Sequence, residues 1–193
     1  MSERSFFSQW IRATSLGWVL GIPLIAGFAL LGEAIGIGGV QVLVGIGMGL
    51  GVGWMQGRQM RNVIHRVAPW VWSCVCGLGV PFLLADVAKV AHWNFPYSLY
   101  LSVALGGLIV GIWQAALLRP HVQSAGWWIA GSFLGWNLAA GMVALADQLF
   151  RSHSIRGISG LLVYVACLTG GGFLLGLVTG AVLVWLLRLK PAA

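Results

Sequence analysis

Residues 107–128 read GLIVGIWQAALLRPHVQSAGWW, and residues 49–70 read GLGVGWMQGRQMRNVIHRVAPW. Aligned, they share Gly49/Gly107, Gly53/Gly111, Gln56/Gln114, Arg61/Arg119 and Trp70/Trp128, and Gly77/Gly135 follows, every pair 58 residues apart. Six matches at one offset mark an internal repeat. A partial third copy reads Gly172, Gly176 and Thr179, with threonine in place of glutamine, while Trp10 and Gly17 precede Trp70 and Gly77 by 60 residues. Each copy is an apolar run, a short turn and a second apolar run.

The runs are long enough to decide the fold class. A helix crossing a hydrocarbon core of ~30 Å needs about 20 apolar residues. Such stretches occur near 14–32, 35–57, 68–87, 97–118, 125–147 and 160–187, with Gly36, Gly38 and Gly39 able to form a turn at the start of the second. The expectation is an all-α integral membrane protein with about six spans. A single transmembrane domain then fills residues 1–193 as three similarly oriented hairpins, near 10–57, 68–118 and 125–188. They form either a pseudo-threefold bundle or an open row; parallel repeats of this kind are a known way to build membrane folds.

Composition agrees. Of 193 residues, 59% are hydrophobic and 8% charged, too few polar groups to clothe a soluble fold, which carries about a quarter charged residues. The 29 glycines sit inside apolar runs, where small residues let helix backbones approach closely. The formal net charge of +7 is a matter of orientation, not of nucleic acid. With the N-terminus cytoplasmic, that side receives Arg4, Arg12, Arg58, Arg61, Arg66, Arg119, Arg188 and Lys190; the other receives Lys89, Arg151 and Arg156. The asymmetry places both termini in the cytoplasm, in a bacterial plasma or internal membrane. The N-terminus carries no convincing cleavage site and is expected to be an uncleaved first helix. Trp70, Trp72, Trp127 and Trp128 then begin their helices at the inner interface, with Trp93, Tyr97 and Tyr100 at the outer one, so most tryptophans read as interfacial anchors.

Two constellations are candidates for function. Gly49, Gly53 and Gln56, repeated as Gly107, Gly111 and Gln114 and as Gly172, Gly176 and Thr179, have i, i+4, i+7 spacing and share a helix face. Such a stripe is a packing seam with an amide bonding across it, or the lining of a polar path. Glu33, Asp86 and Asp147 each lie near the outer end of an odd-numbered span. They lie 16, 9 and 12 residues after Gly17, Gly77 and Gly135, so they are not strict equivalents. They form either a cation-attracting outer site or local pairs, Asp86 with Lys89 and Asp147 with Arg151.

Catalytic and metal chemistry lack their usual sets. His65, His92, His121 and His153 sit near helix ends, with no pair spaced to hold a metal on one face. Cys74, Cys76 and Cys167 lie within apolar spans, with Cys74 and Cys76 on different helix faces. Gly157–Gly160 has the letters GxSG of rhomboid proteases, but no histidine follows to activate Ser159. Among mid-span polar residues Ser132, Asn137 and Thr169, Asn137 most needs a partner.

The repeated G-x3-G-x2-Q, basic turn and tryptophan pattern resembles a widespread group of uncharacterised bacterial polytopic membrane proteins. It covers both central hairpins, about half the chain, and implies a multi-pass fold without importing an activity. Length and span number also match the substrate-binding components of energy-coupling vitamin transporters, with no shared motif. The expected function is therefore a non-enzymatic accessory or scaffold subunit that binds partner proteins, lipids or pigments, or self-associates. The alternative is a small transporter, channel or substrate-binding component. No particular cofactor is implied.

Overall fold

A computed structural model describes residues 3–93, 98–152 and 157–188; Tyr97, His153, Arg156 and Lys190 lie outside them. The described residues form six α-helices: α1 (Glu3–Ala34), α2 (Val42–Ile64), α3 (Val67–Val90), α4 (Ser98–Leu118), α5 (Trp127–Arg151) and α6 (Gly157–Arg188). All but α2 are long and apolar enough to cross a membrane. α2 has the length, but its last turns carry Gln56, Arg58, Gln59, Arg61 and Asn62. Helix is the natural form for such segments, because away from water each backbone N–H and C=O needs a partner within its own segment.

The second apolar run does not begin at residue 35. Gly36 and Gly39 hold φ of +82° and +78°, left-handed values that only glycine adopts without strain. They turn the chain, and α2 starts at Val42.

Each helix packs on its neighbours in sequence, and α1 packs on α6, so the six form a closed ring. Arg188 donates to Glu3 where the ring closes, which puts the start of α1 and the end of α6 at one end of the bundle, the terminal end. Two clusters fill the interior. Nearer the terminal end, Trp10, Trp70 and Trp128 meet with ring centroids 5.7–6.1 Å apart, packed with Met60, Leu118, Leu183 and Leu186. Beyond them Trp18, Val52, Leu78, Val110, Trp136 and Leu175 form the second. Trp70 and Trp128 are 0% and 1% exposed. They are core residues, a correction to their reading as interfacial anchors. Trp72 and Trp127, their close neighbours in sequence, are the exposed ones.

Candidate functional site: an apolar chamber above a tryptophan layer

The glycine stripes lie at helix–helix seams. A Cβ on Gly53 would meet Val71 and Cys74, one on Gly111 would meet Ile129 and Ser132, and one on Gly176 would meet Ile11 and Thr14. One turn away, a Cβ on Gly49 would lie 2.5 Å from the Cys74 carbonyl oxygen, and those on Gly107 and Gly172 at 2.7 and 2.5 Å from the Cβ atoms of Trp136 and Trp18. The seams thus join α2 to α3, α4 to α5, and α6 to α1.

The polar member of each stripe holds a tryptophan. Trp70 Nε1 donates to Gln56 Oε1 at 3.4 Å, Trp128 Nε1 to Gln114 Oε1 at 3.0 Å, and Trp10 Nε1 to Thr179 Oγ1 at 3.0 Å. The amide nitrogens reach the preceding odd helix: Gln56 Nε2 donates to Thr14 Oγ1 and Gln114 Nε2 to Cys74 Sγ, both at 3.2 Å. Thr179 Oγ1 also donates to the Leu175 carbonyl. Indole N–H and amide groups buried together satisfy one another, which removes the cost of an unpaired donor of about 1–3 kcal/mol.

The acidic residues do different things. Asp86, buried on α3, accepts the Gln41 and Val42 backbone N–H groups through Oδ1 and Oδ2, each at 2.8 Å. These are donors at the start of α2, left without partners inside their own helix. The carboxylate therefore caps a neighbouring helix, a correction to its expected pairing with Lys89. Asp147 pairs with Arg151 at 2.8 Å, and Glu33 is exposed. Asn137 Nδ2 and Thr169 Oγ1 donate to carbonyls one turn back, Phe133 and Val165. Ser132 Oγ donates to Gly107 O on α4 at 2.9 Å.

Farther from the Glu3–Arg188 end the ring surrounds a partly open chamber of about 250 Å³. All six helices contribute: Trp18, Ile22 and Ile25 of α1, Val44 and Met48 of α2, Leu78 and Phe82 of α3, Leu99, Tyr100 and Val103 of α4, Trp136, Ala140, Val143 and Ala144 of α5, and Leu168 of α6. Among the described residues no charged side chain lines it, and Tyr100 and the two indoles are its only polar side chains. Trp18 and Trp136, centroids 6.0 Å apart, both line the chamber and belong to the second cluster. Trp18 Nε1 is held by the Leu168 carbonyl at 2.8 Å.

These lining residues carry no motif. The one trace in the sequence is positional: Trp18, Leu78 and Trp136 each follow a repeat glycine, Gly17, Gly77 or Gly135. Among the described residues no group of three His, Cys, Asp or Glu side chains is placed to hold a metal ion, and the three cysteines are free thiols. Compared with protein-family models, curated proteins and solved structures, the chain gives no match.

Proposed function

We propose that this chain is a six-span, non-enzymatic membrane protein that binds an apolar molecule in its central chamber. The observation that carries the reading is that all six helices converge on a partly open space lined almost wholly by aliphatic and aromatic side chains. Clefts of this kind, apolar with few polar groups, are the usual form of small-molecule sites. Among partner proteins, lipids and pigments, a lipid-like or pigment-like ligand fits this lining best.

In this reading the three glycine-seamed hairpins are related by a pseudo-threefold axis along the membrane normal. The recurrence of a glycine seam and of a tryptophan bonded to Gln56, Gln114 or Thr179 at α2/α3, α4/α5 and α6/α1 supports it, as does the ring closure. Both termini face the cytoplasm, where the basic residues gather, and the chamber occupies the outer half. Ion conduction fits less well. The layer of Trp10, Trp70 and Trp128 is buried and hydrogen-bonded, and Asp86 is engaged at the start of α2.

The test is direct. Protein isolated from native membranes in mild detergent is expected to carry a stoichiometric apolar ligand visible by native mass spectrometry. Ala140→Trp, which fills the chamber from α5, is expected to expel it while the helical circular dichroism is kept. A wild-type protein that carries no ligand and takes up none from added membrane extract would sink the proposal. Stoichiometric co-isolated ATPase subunits would instead identify the chain as the substrate-binding component of a transporter.

A further inference from the structure

The ring is not equally tight along its length. The α1–α6 seam is close from Glu3–Arg188 at the terminal end to the Trp18–Leu168 hydrogen bond, with Gly172, Gly176 and Gly180 against Trp18, Ile11 and Trp10 in between. Beyond Trp18 and Leu168 the two helices lean on different neighbours. A Cβ on Gly47 of α2 would meet Ile25, and one on Gly32 would meet Leu43. On the other side Tyr164 of α6 packs against Phe150 of α5, centroids 6.0 Å apart.

Burial records the parting. Between Ile22 and Ala34 only Gly32 is buried, and between Gly157 and Gly170 only Gly160. The same half of α3 buries Pro81, Phe82, Asp86 and Ala88, and that of α5 buries Trp136, Ala139, Ala140 and Ala146. Trp18 and Leu168, joined by that hydrogen bond, are both chamber wall, and the wall continues outward along Ile22 and Ile25 without a residue of α6 beyond Leu168. Leu30, Leu31, Ile158, Leu161 and Leu162, on these less buried halves, are strongly exposed.

Building on the proposed binding role, we infer that the ligand is a long-chain lipid whose hydrocarbon tail enters the chamber sideways from the outer leaflet, between α1 and α6. Three things argue for a tail over a compact molecule. The described lining offers almost no polar group to orient a headgroup. The volume of about 250 Å³ lies below the ~300–1,000 Å³ of sites that engulf a whole drug-sized ligand. The remainder of a lipid can stay in the bilayer only where the chamber meets it, and the gap between these two helices is that place.

The experiment uses the full chain in phosphatidylcholine vesicles, with a benzoylphenylalanine photo-cross-linker replacing Val103. That residue lines the chamber from α4, across the ring from α1. Irradiation and intact-mass analysis are expected to give an adduct of one phospholipid. A second form carries Ile22→Cys and Cys76→Ala. Before reconstitution, its new thiol is joined to the native Cys167 by the shortest bis-maleimide that closes, and the phospholipid adduct is expected to vanish. An adduct that survives the bridge overturns the α1–α6 route and leaves the chamber as a binding site. An adduct with added decane but none with phospholipid overturns the tail assignment alone. Absence of both overturns the binding role itself.

Discussion

Gln114 shows how much one polar side chain can organise. Its amide accepts from Trp128 on α5 and donates to Cys74 on α3, while its own backbone belongs to α4. Three helices are held by one side chain that is 1% exposed. Gln114→Leu keeps the volume roughly but leaves the Trp128 N–H with no acceptor, so a loss of about 1–3 kcal/mol is expected. Equilibrium unfolding in mixed micelles measures it. In a double-mutant cycle with Trp128→Phe the two losses should fall well short of additive. Asp86 acts differently, across 44 and 45 residues of sequence, as the cap of a helix to which it does not belong. Asp86→Asn leaves one oxygen to accept and removes the charge that favours a helix N-terminus. An expected cost of about 0.5–2 kcal/mol follows, with faster hydrogen exchange at the Gln41 and Val42 amides as its local signature. Unchanged exchange there would refute the cap.

At the scale of helices, the glycines fall into two kinds that composition does not separate. Gly49 lies so close to the Cys74 carbonyl that any Cβ must push α2 away from α3, whereas a Cβ on Gly27 or Gly141 would meet nothing within 4 Å. Gly49→Ala is therefore expected to lower the thermal midpoint in detergent. Gly27→Ala should be neutral or stabilising by about 0.5–1 kcal/mol, since alanine loses less backbone entropy in a helix interior. Equal effects at the two sites would show that close approach is not what the stripe supplies. The α1–α2 turn belongs to the same scale. Gly36 and Gly39 take left-handed conformations and let α1 and α2 run side by side, where Gly17 and Gly51 bring the two backbones together.

Across the whole molecule, the three central tryptophans form a buried layer between the terminal end of the ring and the chamber. Each belongs to a different odd-numbered helix, and the three indoles meet only because α6 returns to α1. Trp70→Ala would leave a cavity in a layer of fully buried side chains, with an expected cost of about 3–5 kcal/mol by analogy with large aromatic truncations. The same variant also tests whether this layer closes the ring to small solutes. Vesicles containing it are expected to leak a small trapped dye faster than vesicles containing the wild type. An equal leak rate would place the barrier elsewhere.

Much of this was legible in the residues themselves. Long apolar runs in a charge-poor chain require helices, because a backbone without water must bond within its own segment. The 58-residue offset linked Gly49 to Gly107 and Gln56 to Gln114, and periodicity put each set on one helix face. Hydropathy could not tell Trp70 from Trp72, since an indole serves an interface or a core equally well; burial depended on which face met the other helices. It was also silent on what Asp86 bonds to, because the nearest charge in sequence, Lys89, was not the nearest donor in space. The chamber is wholly a product of assembly. Its walls are ordinary aliphatic and aromatic residues from all six helices, and an empty space has no sequence of its own. It lies where the buried layer of Trp10, Trp70 and Trp128 gives way to side chains from six helices that do not fill the space between them, a fit that only the assembled ring decides.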